Sequence, residues 1–240
     1  RLQVGNSDAA HMVAPLAIAG TLGLRKPSQP LSVPFVLGLN GNAITLQPEL
    51  AARVGQTGKL GDPAVTGAAL AKVAREHAAR GKKLRFGVVH RFSSHNYMLR
   101  YWLAGCGIMP DRDVEIVTVA PPFCADALEA GEVDGICVGE PWNSIAVEGG
   151  AGQIVLATAQ IWRRGVEKVL AMREPVLEDR RDEVEALIRA LIAAGRHFID
   201  PENWDTNAAI LARPEYLDGS AELIQRAISD RLLLAKGGEL

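Results

Sequence analysis

From residue 84 onward, short apolar runs alternate with segments of helical period. Leu84–Val89, Val114–Val119, Gly135–Val138 and Ile154–Ala157 read as strands. Ser94–Cys106, Phe123–Ala130 and Pro141–Glu148, lying between them, read as helices. This alternation predicts an α/β protein with mainly parallel sheets and helices on both faces. Upstream, Asp8–Leu24 reads as a helix capped by Asn6, Ser7 or Asp8, with Gly23 near its end. Leu31–Leu39 is a strand-like run whose Pro34 suits an edge or an early position. Asn40-Gly41-Asn42 is a turn, Ala43–Leu46 a second extended piece, Gly55–Pro63 a loop and Ala64–Gly81 a helix. Pro175–Phe198 reads as one long amphipathic helical region, and the tail after Pro214 is helical again.

Composition narrows the picture. The chain has 240 residues, 48% hydrophobic and 22% charged, enough for one large domain or two small lobes. A net charge of −2, with Arg163-Arg164 and Arg180-Arg181 as isolated pairs and no basic face, argues against direct nucleic-acid binding. The longest apolar run, Val13–Leu24, holds a Pro, a Thr and two Gly and is too short for a transmembrane segment. No signal peptide is visible, and a chain that begins at Arg1 reads as a fragment. Cys106, Cys124 and Cys137 lie in apolar segments without CxxC spacing, which predicts buried free thiols and leans towards a reducing compartment.

The candidate chemistry lies at strand ends, where open α/β domains place their ligands. Ser93-Ser94-His95-Asn96 follows a strand and opens a helix. Free backbone N–H groups there attract anions, and His95 can donate to an oxyanion. The alternative is plain capping with an exposed His95. Gly139-Glu140-Pro141-Trp142-Asn143 repeats that geometry one βα unit later, with Trp142 either flooring a pocket or filling the core. Glu140 is awkward beside an anion and should pair with a Lys or hold backbone N–H groups. Lys168, leading into an apolar run, either snorkels or supplies a point charge for a small monoanion. Asn42 either completes the turn or offers its amide to a ligand.

Catalytic patterns fail. Gly55–Leu60 resembles a phosphate loop only faintly, lacking the four-residue spacer and a Ser/Thr after the Lys. His90 and His95 are five apart, which does not suit a helical zinc site, and no GxSxG occurs. Ser94 beside His95 is not a triad. The expectation is a protein without catalysis, cofactor or metal.

The runs SSHNYMLRYWLAGCGIMPDRDVEIV (Ser93–Val117), CVGEPWN (Cys137–Asn143) and WRRGVEKVL (Trp162–Leu170) together resemble the nitrate/bicarbonate-binding branch of ABC-transporter solute-binding proteins. The resemblance covers most of the chain and implies a type II periplasmic-binding-protein fold. That fold has two α/β lobes closing on a ligand cleft between them, here truncated at both ends. The implied lobes are 1–82 with 176–240, and 83–175. The ligand contacts the resemblance implies are His95, Lys168, Asn42 and Glu140; Ser94 and Trp142 join the candidate site from their place at the two strand–helix junctions. Asn42 replaces the Gln of nitrate transport proteins. Bicarbonate-binding relatives tend to carry an acidic residue at position 168 and recruit calcium, so Lys168 implies nitrate or nitrite without metal.

Two roles follow from the resemblance. The wording of Ser93–Gly107 and Glu140–Glu148 and the unpaired cysteines favour a cytoplasmic nitrate/nitrite sensor that restrains an RNA-binding antitermination regulator. The alternative is a periplasmic or lipid-anchored receptor that hands its anion to an ABC permease. A third reading is an enzyme of the same fold making a pyrimidine precursor of thiamine. It needs a reactive His or Cys and a pyridoxal-phosphate-type site, for which His95 alone is a candidate.

Overall fold

The computed structural model describes residues 2–24, 26, 29–56 and 60–238. In chain order it holds β1 (Ala9–Val13), α1 (Ala14–Thr21), β2 (Leu31–Leu39), β3 (Asn42–Leu46), α2 (Pro48–Gly55) and α3 (Pro63–Ala78). There follow β4 (Leu84–Val88), α4 (Ser94–Gly105), β5 (Val114–Thr118), α5 (Cys124–Glu129), β6 (Gly135–Gly139) and α6 (Trp142–Gly149). The last part comprises β7 (Gln153–Ala157), α7 (Thr158–Ile161), β8 (Val166–Arg173), α8 (Glu174–Asp179), α9 (Arg181–Ile199), α10 (Trp204–Leu211) and α11 (Ala221–Ile228).

These elements form two compact units. The first comprises Arg1–Asn40, Phe92–Ser94 and Arg164–Ser229, and the second Gly41–Arg91, His95–Arg163 and Asp230–Leu240. The lobe boundaries expected from the sequence fall elsewhere. Residues 41–82 lie in the second unit, because β3 is hydrogen-bonded between β6 and β7. β8 lies in the first unit, because it is the central strand between β1 and β2.

The first unit is built on that three-stranded sheet, antiparallel throughout. Both faces of β8 are covered, which explains its unbroken Val-Leu-Ala-Met run. Val169 and Ala171 pack with Leu2, Ala17 and Leu31 on one side. Leu170 and Met172 pack with Phe35, Val184, Ile188 and Leu191 on the other. Two expectations fail here. Asp8–Leu24 is not one helix: Ala9–Val13 is drawn into the sheet by pairing with β8, and only Ala14–Thr21 is helical. The 175–198 region is two helices, α8 and α9, separated at Arg180 (φ −123°, ψ 39°). At this break the Arg180 side chain makes ion pairs to Asp8 and Glu183.

The second unit is a five-stranded sheet in the order β5-β4-β6-β3-β7. β4 runs parallel to β5 and β6, but β3 runs against both of its neighbours, so the sheet is mixed. Strand periodicity sorts the side chains. Phe86, Val88, Ile44 and Leu46 meet Leu70, Val73, Leu99, Trp102 and Leu103 of α3 and α4 on one face. Ile136 and Val138 meet Ala127, Leu128 and Ala146 of α5 and α6 on the other. The fit is close where α3 crosses α4: a Cβ on Gly67 would lie 2.0 Å from the Cys106 sulfur. Asp62 caps α3 by accepting from the N–H groups of Ala64 and Val65, both at 2.9 Å. Of the loop expected at 55–63, and of the faint phosphate-loop pattern within it, Thr57–Lys59 lie outside the described residues.

Candidate functional site

The first turn of α4 is buried despite its polarity. Ser93, Ser94, His95 and Asn96 are 0–7% exposed, so His95, at 3%, is not the exposed side chain of a plain cap. Asn96 fixes the turn from within: its Nδ2 donates to the Arg91 carbonyl at 2.7 Å, and its Oδ1 accepts from Arg100 Nε at 2.8 Å. Arg100 in turn makes a two-pronged ion pair with Asp111 at 2.6 and 2.8 Å. Trp102 ties the same helix to α3 by donating to the Pro63 carbonyl at 2.8 Å. A buried polar turn needs this much support, because each buried polar group must find a partner.

The adjoining strand ends bring the second group of residues together. Asn42 opens β3 as the register partner of Gly139 at the end of β6. The Glu140 N–H donates to the Gly41 carbonyl at 3.0 Å, and the Thr158 hydroxyl to the Asn42 carbonyl at 3.0 Å. Gly139 is a close approach: a Cβ there would lie 3.2 Å from Asn42 Oδ1 and 4.0 Å from His95 Nε2. Asn42 Oδ1 and His95 Nε2, remote in sequence, thus both border the space over the Gly139 Cα.

Glu140 is buried and does what its position requires. Its Oε2 accepts from the Ser144 N–H at 3.2 Å and from the Ser144 hydroxyl at 2.7 Å. Its Oε1 is buried without a hydrogen-bond partner among the described residues. Burial pushes the carboxyl above its ordinary range, and the polar contacts with Ser144 and the Asn143 side chain offset this only in part. A carboxyl tending to the neutral form repels an anion less than a carboxylate would. Trp142 is half-buried and packs on the α5/α6 side of the sheet. Asn143, fully buried, accepts from the Thr45 hydroxyl and donates to the Val138 carbonyl, both at 2.8 Å.

Lys168 belongs to the first unit. On β8 it lies opposite Val13 of β1 and Gly38 of β2. Its Nζ is 2.6 Å from Glu167 Oε1, and Glu167 is only 3% exposed. Its charge therefore does not merely snorkel to water. The nearby His11 is shifted downward by burial first and by the Lys168 charge second, which favours a neutral imidazole. Sequence reasoning missed Gly139, Asn143, Ser144 and Glu167. The first three sit inside or beside the Gly-Glu-Pro-Trp-Asn block, whereas Glu167 carried no signal beyond its place next to Lys168.

None of the three cysteines is in a disulfide; Cys124 and Cys137 are buried and Cys106 is half-buried. Burial pushes the Cys124 thiol up to about 11 and raises Cys106, so neither is an activated nucleophile. Among the described residues, no group of three or more His, Cys, Asp or Glu side chains is placed to hold a metal ion. Among them, too, no helix is long and apolar enough to cross a membrane.

These elements match a known family. The model of the NMT1-like family matches residues 1–212, and the chain belongs to that family. The chain is 37% identical over 218 residues to the nitrate import ATP-binding protein NrtC of Synechocystis sp., covering 90% of this chain and 31% of that protein. It is 35% identical to the bicarbonate transport ATP-binding protein CmpC of Synechococcus elongatus, covering 91% and 31%. It is 32% identical to the nitrate/nitrite binding protein NrtA of Synechococcus elongatus, covering 92% and 49%. The chain thus spans half or less of these relatives. The resemblance read from the three sequence runs is met.

Among solved structures, the periplasmic nitrate-binding protein NrtA from Synechocystis PCC 6803 superposes with a TM-score of 0.87 at 24% identity, covering 99% of this chain and 60% of that one. The alkanesulfonate-binding protein SsuA from Xanthomonas axonopodis pv. citri gives 0.66 at 15% identity, covering 97% and 68%. The fold is that of the periplasmic binding proteins.

Proposed function

We propose that this chain is an anion-binding module of a nitrate/nitrite import system, taking up a small planar oxyanion without chemical turnover. The observation that carries the reading is that the Asn42 amide and the His95 imidazole both border the space over Gly139, next in the chain to the buried Glu140. Nitrate is a weak hydrogen-bond acceptor. Holding it selectively takes several fixed donors away from water and a compensating cation. Asn42 and His95, both of the second unit, suit that task. Lys168 is the cation the resemblance assigns to the same ligand. A cation at this position favours nitrate or nitrite over bicarbonate with calcium.

The relatives' names speak of nitrate import and bicarbonate transport, which supports a transport role beside an ABC permease and its ATPase. The cytoplasmic sensor restraining an RNA-binding regulator, preferred from the sequence, has no such support and is withdrawn; a periplasmic setting fits NrtA better. The enzyme reading finds no activated thiol. Equilibrium dialysis of the chain against nitrate tests the proposal. Saturable one-to-one uptake that Lys168→Ala abolishes is expected, and no uptake at millimolar nitrate contradicts it.

A further inference from the structure

The buried turn that carries His95 is anchored from the protein surface. Asn96 Nδ2 donates to the Arg91 carbonyl at 2.7 Å, so its amide closes the loop in which His95 lies. The other side of that amide accepts from Arg100 Nε at 2.8 Å, at the i, i+4 spacing where side chains of one helix meet. The Arg100 terminal nitrogens donate to the two Asp111 oxygens at 2.6 and 2.8 Å, a two-pronged pairing that fixes the guanidinium plane. Asp111 is itself held. It lies in the left-handed region, φ 70°, which Asp and Asn tolerate. Asp113 braces the turn around it: its N–H donates to the Met109 carbonyl at 2.9 Å, and its carboxylate accepts from the Met109 N–H at 2.8 Å. The Arg100 hydrogen bonds hold the Asp111 carboxyl below its ordinary range, so the pair is ionised at neutral pH.

We propose that Asp111 and Arg100 are positioning residues of the anion site, which act through the Asn96 amide to hold His95 where it can donate to the anion. The inference rests on the anion-binding reading of His95. An exposed ion pair usually contributes little, because two flexible side chains must be ordered to make it. Here the braced turn orders the acid and the planar fork orders the base, so the pair keeps one geometry. Loosening it lets the Asn96 amide rotate and the Arg91–Asn96 loop shift with it. Hydrogen bonds weaken steeply with misalignment, so a small displacement of the imidazole lowers anion affinity without any ligand contact being removed.

The test is titration calorimetry with sodium nitrate on the whole chain and on surface variants of it. Asp111→Asn keeps the shape and tolerates the left-handed backbone but loses the charge and one acceptor oxygen. Arg100→Lys keeps the charge but lacks the fork that reaches Asp111 and Asn96 together. Each is expected to bind nitrate about fivefold more weakly. The double variant should bind no more weakly than either single one, because both break the same relay. The His95 imidazole signals in the nuclear magnetic resonance spectrum of the nitrate-free chain should move in both. Glu115→Gln breaks another exposed ion pair of the same unit, Arg85–Glu115 at 3.1 Å, and should change the affinity by less than about twofold and leave the His95 signals in place. Unchanged affinity or unmoved His95 signals in Asp111→Asn, losses that multiply in the double variant, or an equal loss in Glu115→Gln overturns this inference alone. No anion binding by the unaltered chain overturns the functional reading and this inference with it.

Discussion

Asn42 and Gly139 are register partners at the ends of β3 and β6, and the glycine leaves only enough room for the Asn42 carbonyl oxygen. A Cβ on Gly139 would stand 3.2 Å from that oxygen, closer than ordinary packing, while its 4.0 Å distance to His95 Nε2 is unstrained. Gly139→Ala therefore pushes the amide aside by a few tenths of an ångström and leaves the imidazole nearly in place. The expected outcome is a nitrate affinity about tenfold weaker, roughly 1.4 kcal/mol. Stability should change by less than about 1 kcal/mol. Calorimetry and a denaturant melt on the same variant separate the two effects, and unchanged affinity removes Asn42 from the site.

Removing the lysine should have two consequences. Lys168→Ala takes away the cation and leaves the buried Glu167 carboxylate without this partner. Breaking a buried pair costs about 3–5 kcal/mol, and the partial exposure of Lys168 reduces that to about 1–2 kcal/mol. The variant is expected to fold, to lose that much stability in urea unfolding and to bind no nitrate. The double variant Lys168→Ala with Glu167→Gln should likewise bind no nitrate.

Glu140 makes stability depend on pH in a stated direction. Burial raises its folded-state pKa above the ordinary 4.5, so the folded chain holds a proton that the unfolded chain releases. Stability is then unaffected below about 4.5 and falls as pH rises from there through the raised value. Glu140→Gln keeps an oxygen acceptor for Ser144 and cannot ionise. Urea midpoints measured from pH 4.5 to 8 should decline for the unaltered chain relative to this variant. Parallel curves would show that the carboxyl titrates normally.

Asn143 is the joint between sheet and helix in the second unit. Asn143→Ala removes the hydrogen bonds to the Thr45 hydroxyl and the Val138 carbonyl, leaving both groups buried. The expected loss is about 2–4 kcal/mol in denaturant unfolding. A loss below about 1 kcal/mol would mean that water replaces the amide.

The strands and helices of the second unit were legible in the sequence, because each buried strand is a short apolar run flanked by turn residues. Ala9–Val13 was misread because its alanines favour a helix, and only pairing with β8 makes it a strand. Antiparallel insertion of β3 between β6 and β7 was equally invisible, since the direction of pairing leaves no mark on a five-residue apolar run. The break at Arg180 has no Gly or Pro to announce it, and Arg180 there pairs with distant Asp8 and nearby Glu183. At the site, His95, Glu140 and Asn42 stood out as polar residues at strand ends. Gly139 did not, because its role is the absence of a side chain between two others. The Glu167–Lys168 pair escaped because adjacent strand residues are not expected to touch.

The most direct measurement is isothermal calorimetry of the unaltered chain with nitrate and nitrite, with bicarbonate plus calcium as the control. Micromolar binding of nitrate or nitrite, with no calcium-dependent heat from bicarbonate, is the predicted result. Calcium-dependent bicarbonate binding, or no heat with any of these anions, would contradict the account.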